Sequence, residues 1–337
     1  MKQKTWPNRS DGSRFKSLPL PYTKSNKQYT RTVLISPSSS PSSTTNGRDF
    51  SMLPFDILTK IAASFTLPNL HTASLVCKSW RDGLRPLREA MLFLKWGKKF
   101  KHGRGGVKPN LQKALDSFLK GAALGSSLAM VDAGLVYWEL GFHDKAIEFY
   151  LKAACLGDSA AQCNLGISYL QSEPPKPMEA IKWLIQASNA GHVRAQYQLA
   201  LCLHQGRGAE QNLREAAKWY LKAAAGGYVR AMYNVALCYS VGEGLAQSHP
   251  QARKWMKRAA DHGHNKAQFE HGLGLFSSNF GQEGEMMKAV VYLELASRSG
   301  ETAATHVKNV ILQQLSSTSR DRVMVIADNW RALPSTR

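Results

Sequence analysis

The sequence has few acidic residues and no long apolar run. Of its 337 residues, 24 are Asp or Glu and 44 are Lys or Arg, which gives a formal net charge of +20. No stretch of about eighteen apolar residues occurs, so no transmembrane helix is predicted. The positive charge favours a solvated basic surface or an acidic or phosphorylated partner. Nucleic acid ranks below these because no nucleic-acid-binding module is recognisable.

The cysteine content argues against a secreted, disulfide-linked fold. The chain has five cysteines, an odd number, and no two of them have the Cys-x-x-Cys spacing of a redox or zinc motif. The five are Cys77, Cys155, Cys163, Cys202 and Cys238. The pattern predicts reduced packing thiols in a protein of the cytoplasm or nucleus.

Motifs for catalysis and cofactor binding are also missing. The sequence contains no nucleophile elbow and no metallohydrolase motif. Three histidines, His262, His264 and His271, lie close together, but their spacing matches no recognised set of metal ligands. We interpret them as loop and surface residues, and we expect no catalytic residue, metal site or cofactor.

The most informative feature that is present is an internal repeat. Six glycines are each preceded by an alanine eleven residues earlier and followed by an alanine four residues later. The glycines are Gly125, Gly157, Gly191, Gly227, Gly263 and Gly300. The length varies only between the second alanine of one unit and the first alanine of the next, which predicts a variable loop there. Such units bury their apolar faces by stacking on one another.

The segment that ends at each glycine has the pattern of an amphipathic helix. In the fourth copy the apolar residues recur at i, i+3, i+4, i+7 and i+8, and they are Ala216, Trp219, Tyr220, Ala223 and Ala224. The glycine is suited to the left-handed conformation that ends a helix. A second helix is predicted to begin just before the next alanine, so each unit contains two antiparallel helices.

Three copies carry Gly-x-Gly between their two helices. These are Gly103-Arg104-Gly105, Gly206-Arg207-Gly208 and Gly242-Glu243-Gly244. A phosphate-binding loop is rejected because no strand is predicted before them and no Gly-Lys-Ser/Thr follows. Their recurrence at one position of the repeat predicts turns.

Together these features resemble the Sel1-like repeat, a cousin of the tetratricopeptide repeat. The shared pattern is Ala-x-x-x-Leu-Gly-x-x-Tyr, then Gly-x-Gly, then Ala-x-x-Trp-Tyr-x-x-Ala-Ala-x-x-Gly, and it covers about residues 91–305. The second and third copies depart from it in their loops. The resemblance implies an all-α fold, in which about six helix-turn-helix repeats form a right-handed α-solenoid.

A second motif precedes the repeats, within residues 49–90. It contains, in order, Leu53, Pro54, Ile57, Leu58, Ile61, Pro68, Leu75, Val76 and Trp80. The prolines predict helix starts, and the apolar residues predict three short helices, the last marked by Leu75, Val76 and Trp80. About forty residues bury little surface, so such a unit usually depends on a partner or a neighbouring domain. The segment resembles the F-box.

The resemblance to the F-box implies a function. F-box domains dock on the Skp-type linker of SCF cullin-RING ubiquitin ligases. We therefore expect a non-catalytic adaptor whose repeats bind a target protein for ubiquitination. The linker contacts carried over to this sequence are Leu53, Pro54, Ile57, Ile61, Leu75, Val76 and Trp80. The alternative is an interaction scaffold that directs no degradation. The substrate-binding residues stay unassigned.

The two ends of the chain differ from the repeats. Residues 1–48 are basic and rich in Ser and Pro, which predicts disorder, with an organelle transit peptide as the alternative. Residues 306–337 contain two helical stretches that we expect to cap the last repeat, with Trp330 covering its apolar face. No linker follows the F-box-like segment, so a rigid junction is predicted near Pro86.

Overall fold

The computed structural model describes residues 54–62, 65–278 and 282–334, and all regular elements among them are α-helices. The first three are short: α1 (Phe55–Ala62), α2 (Leu67–Ala73) and α3 (Lys78–Gly83). The predicted basic tail at residues 1–48 lies outside the described part of the chain, and so does Leu53.

Fourteen further helices follow in the described residues. They are α4 (Arg85–His102), α5 (Leu111–Ala123), α6 (Ser127–Glu139), α7 (His143–Cys155), α8 (Ser159–Gln171), α9 (Pro177–Asn189), α10 (Val193–Gln205), α11 (Leu213–Ala225), α12 (Val229–Val241), α13 (His249–Asp261), α14 (Asn265–Ser278), α15 (Glu283–Arg298), α16 (Thr302–Gln314) and α17 (Ser317–Asn329). The closest packing is within pairs, from α4 with α5 to α14 with α15, and each pair also packs on the next. The predicted all-α repeat solenoid is confirmed.

The repeated alanines lie where neighbouring helices touch. All twelve are buried, eleven of them completely and Ala252 with 8% exposed. They are Ala114, Ala129, Ala146, Ala161, Ala180, Ala195, Ala216, Ala231, Ala252, Ala267, Ala289 and Ala304. A methyl group at these points lets two helix backbones approach closely at native packing density. A larger side chain would force the helices apart.

The repeated glycines end helices, as their position predicts. All six have left-handed backbones, with φ between 83° and 94°. The residue after each glycine donates its N–H to a carbonyl five residues earlier; Tyr228, for example, donates to Ala223 at 3.0 Å. This is the Schellman ending of a helix. An added Cβ on Gly125 or Gly300 would meet no atom within 4 Å, so conformation rather than space requires glycine there.

Within several pairs a large side chain packs against a glycine of the partner helix. A Cβ added to Gly134 would lie 2.6 Å from the ring of Tyr150, and one on Gly166 would lie 2.8 Å from Cγ of Leu184. The missing side chain therefore makes the space that the large residue fills. This complementary packing fixes the separation of the two helices in a pair.

Two of the Gly-x-Gly loops, each of which joins the two helices of one pair, also pack against the preceding repeat. In the loops after α10 and α12 the first glycine ends the preceding helix in the left-handed conformation. The second glycine approaches the preceding repeat so closely that a Cβ on Gly208 would lie 2.4 Å from the carbonyl oxygen of Pro177. The corresponding distance from Gly244 to the carbonyl oxygen of Leu213 would be 2.1 Å. Gly105 lies in the first such loop, where a Cβ would meet only the side chain of Lys99 at 3.9 Å.

Helix α4 belongs to two hydrophobic cores. Met91 packs against the core of the first three helices, which includes Leu70 and Leu84, and also against the core of the first repeat, which includes Leu94 and Phe118. Helix α4 starts at Arg85 with a proline in its first turn. Helix α4 therefore contacts both cores, and the rigidity of the junction near Pro86 stays a prediction.

The C-terminal helices pack on the last repeat. Ile311 and Val323 are completely buried in its core, and Trp330 packs against the same core, as predicted. By contrast, the nearby apolar residues Ile326 and Leu333 are about half exposed, at 49% and 55%. The backbone of Leu333 instead holds the chain end, because its N–H donates to the carbonyl of Asp261 at 2.9 Å.

The Gly-x-Gly contact predicts different effects for two equivalent glycines. Both Gly105 and Gly244 have positive φ, so alanine at either costs about 1–2 kcal/mol of unfolding free energy through backbone strain. Gly244→Ala also clashes with the backbone of Leu213, so we expect it to cost about 2 kcal/mol more than Gly105→Ala. Urea denaturation of the two variants measures the difference. Equal destabilisation would contradict the stacking role of the second glycine.

A buried ion network joins the last three helices. Glu294 is 6% exposed, and its carboxylate accepts hydrogen bonds from Nε of Arg298 at 2.7 Å and Nζ of Lys308 at 2.8 Å. Burial raises the pKa of Glu294, but the bonds from Lys308 and Arg298 outweigh burial, and the net pKa is lowered. The resulting stabilisation is complete above the pKa of the unfolded chain, and it is lost as the pH falls through the lower folded pKa.

We therefore expect Glu294→Gln to lower the free energy of unfolding by about 2 kcal/mol at neutral pH. The difference from wild type should shrink below about pH 4, where the carboxylate of the wild type also becomes protonated. Denaturation curves recorded at a series of pH values measure this difference. A difference that does not change with pH would show that the charge of Glu294 contributes nothing.

Candidate functional site

Four large apolar side chains are exposed on helix α1 and in the turn between α2 and α3. Ile57 and Ile61 of α1 are 42% and 51% exposed. Leu75 and Val76, which lie between α2 and α3, are 63% and 62% exposed. Four such side chains on so small a unit make it a candidate interaction site. We call Ile57, Ile61, Leu75 and Val76 the apolar docking face.

The stripe predicted on α1 divides between this face and the core. Leu58 and Ala62 are buried, at 3% and 1% exposure, and they pack with Leu70 and Leu84. Ile57 and Ile61 each lie one position before a core residue, so their side chains are rotated by about 100° around the helix and point away from that core. The helix is therefore apolar on two sides, one facing its own core and the other facing outward.

Leu75 and Val76 lie in a turn and not in the third helix, which corrects the sequence expectation. Helix α3 begins at Lys78, because the Sγ atom of Cys77 accepts the N–H of Trp80 and caps the helix start. The preceding turn is held by the hydroxyl of Ser74, which donates to the carbonyl of Leu70. Because they lie in this turn, the side chains of Leu75 and Val76 point outward.

The remaining predicted contacts have different surroundings. Pro54 is exposed just before α1, and its carbonyl accepts the N–H groups of Ile57 and Leu58 at 3.1 and 3.0 Å. Trp80 is partly buried and packs against the core that contains Leu84. Its ring therefore contributes to the stability of the unit as well as to its surface. Leu53 lies outside the described residues.

The histidines are more buried than expected. His264 stacks on Tyr233 with ring centroids 4.6 Å apart, and its Nδ1 accepts the N–H of Ala267 at a helix start. Burial, with help from nearby Arg230, lowers the pKa of His264 to about 4. His271 packs edge-on against Tyr292. In the described residues no group of three or more His, Cys, Asp or Glu side chains is arranged to hold a metal ion.

Three of the four thiols of the repeats are packing groups, as predicted, and the fourth is not. Cys163, Cys202 and Cys238 are buried, whereas Cys155 is exposed. Burial raises the pKa of Cys163 to about 12 and that of Cys238 to about 11, so both stay protonated at neutral pH.

Among the described helices, none is both long and apolar enough to span a bilayer.

Comparison with known proteins agrees with this geometry. The model of the F-box domain matches residues 50–85. The model of the Sel1 repeat matches residues 96–126, 143–158, 159–192, 193–228 and 229–264. An F-box protein of Arabidopsis thaliana is 62% identical over 357 aligned residues, and the match covers all of both chains. This chain is an F-box protein with Sel1 repeats. An F-box joined to such repeats is the organisation of an adaptor for protein–protein interaction.

Solved structures support the fold of the repeats. A protective antigen of uropathogenic Escherichia coli with an SLR fold matches 82% of this F-box protein and 63% of its own chain, with a TM-score of 0.62 and 22% identity. A Sel1 repeat protein of Oxalobacter formigenes matches 69% of this chain and 98% of its own, with a TM-score of 0.58 and 23% identity. At these identities the likeness shows the fold alone.

Because the F-box has a buried core and an exposed docking face, truncating side chains in the two regions should destabilise it to very different extents. Leu70→Ala removes a side chain that is 1% exposed, so we expect it to cost about 2–5 kcal/mol. The double variant Leu75→Ala/Val76→Ala removes outward side chains and should stay within about 0.5 kcal/mol per site. Hydrogen exchange of the F-box amides measures both. A large loss of protection in the double variant would mean that these side chains stabilise the fold.

Proposed function

We propose that this F-box protein is the substrate-recognition subunit of an SCF-type cullin-RING ubiquitin ligase. In this role the F-box docks on the Skp-type linker, and through it on the cullin, while the Sel1 repeats hold a target protein for ubiquitination. The chain supplies binding and no chemistry of its own. Its place of action is the cytoplasm or the nucleus, where such ligases assemble.

The observation that carries the proposal is the apolar docking face. Four large aliphatic residues, each more than 40% exposed, lie on a unit of about thirty described residues. Covering them with a partner stabilises the complex by about 25 cal/mol for each square ångström of apolar surface removed from water. The face belongs to the segment that matches the F-box.

The shared helix α4 supports the same role. Because Met91 packs against the cores of both the F-box and the first repeat, motion between them is opposed by loss of buried contacts. A target bound on the repeats is thereby held at a set position relative to the linker. Ubiquitin transfer benefits from this because it requires the acceptor lysine and the thioester to meet.

The test is co-purification with a Skp-type linker. We expect Leu75→Glu/Val76→Glu to abolish linker binding, because it places two charges at the centre of an apolar interface. The matched control is Leu156→Glu/Val241→Glu. It changes the same residue types at similar exposure, 61% and 65%, but lies on the repeats. The control should bind the linker like the wild type. Leu53→Ala/Pro54→Ala tests the Leu-Pro edge of the motif in the same assay.

Circular dichroism of each variant confirms that it is folded. A wild-type chain that binds no Skp-type linker would contradict the proposal and favour a scaffold that directs no degradation. Equal loss of binding in the two double-glutamate variants would place the interface elsewhere.

A further inference from the structure

Two neighbouring helices of the repeat array, α11 and α13, carry a concentration of exposed or partly exposed positive charge. Seven basic residues point away from the core: Arg214, Lys218, Lys222, Arg253, Lys254, Lys257 and Arg258. We call these seven the cationic face. The two helices contain only two acidic residues, Glu215 and Asp261.

Four of these cations occupy two matching positions of successive repeats. Lys218 and Lys254 each lie nine residues before the repeat glycine, and Lys222 and Arg258 each lie five before it. Trp219 and Trp255 pack against the same hydrophobic core, which makes the two helices neighbours. Nζ of Lys222 is 3.8 Å from the ring of Trp219, and the guanidinium of Arg258 is 5.1 Å from that of Trp255.

Helix α13 lacks the internal ion pair that three of its counterparts contain. Helices α7, α11 and α15 each contain an internal ion pair, formed by Lys152–Glu148, Lys218–Glu215 and Lys288–Glu285. In the described part of the chain, no ion pair involves a cation of α13. Its single carboxylate, on Asp261, accepts a hydrogen bond from the hydroxyl of Tyr292.

The carboxylates that border α13 are also engaged by other groups. Glu270 accepts the hydroxyl of Tyr233 at 2.7 Å, and Glu285 pairs with Lys288 at 2.7 Å. Between α13 and α14 is a cleft of about 390 Å³. Arg253 and Glu270 both line it, and its apolar lining includes Met256 and Leu275. The face therefore combines mutually repelling cations with a partly apolar cleft. A negatively charged partner would relieve the repulsion.

We propose that the cationic face is the target-binding surface, and that its partner is a protein segment rich in Asp and Glu. This inference rests on the proposed function, in which the repeats hold the target. A polypeptide fits better than single-stranded nucleic acid. The rings of Trp219 and Trp255 are packed in the core beneath their cations, so the face offers no aromatic platform on which bases stack.

The test measures binding of a fluorescein-labelled oligoglutamate peptide to the full chain by fluorescence anisotropy. The variant Arg253→Glu/Lys254→Glu/Lys257→Glu reverses three exposed charges of the face. The matched control, Lys113→Glu/Lys120→Glu/Lys145→Glu, makes the same change in net charge with exposed residues of α5 and α7. At physiological salt we expect the face variant to weaken binding at least about tenfold and the control by less than about threefold.

Three results would overturn the inference: no binding of the peptide by wild type, equal weakening in both variants, or tighter binding of an oligonucleotide of the same length than of the peptide. Co-purification of the face variant with the Skp-type linker is measured on the same preparation. Because the docking face is untouched in this variant, loss of peptide binding with linker binding retained separates this inference from the proposed function.

Discussion

The structure depends on close contact between helices at alanine and glycine. A pair of amphipathic helices cannot bury both of its apolar sides alone, so each repeat is stabilised by its neighbours. Twelve buried alanines let these neighbours approach, and six left-handed glycines turn the chain from one pair to the next. Packing of this density fixes the position of each repeat relative to the next along the stack, which suits a protein that presents one partner to another.

The same constraint explains how the F-box is attached. A unit of three short helices has a small core, and here that core is completed by the start of α4 through Leu84, Leu87 and Met91. The first repeat uses the other end of α4. The F-box therefore gains stability from the repeats without giving up its outward aliphatic side chains. On α1 the core takes Leu58 and Ala62, while Ile57 and Ile61 are 42% and 51% exposed.

The sequence predicts those features that repetition makes visible. The buried alanines, the helix-ending glycines and the pairing of helices all follow from spacings that recur six times. Features that depend on a distant part of the chain could not be predicted. The contact of Gly244 with Leu213 needs the position of the preceding repeat, and the capping role of His264 needs the helix end to be located. The position of Leu75 in a turn was missed because a short apolar run does not distinguish a turn from a helix start.

In the proposed role, the F-box alone docks on the linker, and the repeats are left for a target. Hydrogen–deuterium exchange of the chain, free and bound to a Skp-type linker, tests this most directly. We expect new protection in residues 54–62 and 65–84 and unchanged exchange in α5 to α15. Protection spread along the repeats, with exchange in the F-box unchanged, would contradict it.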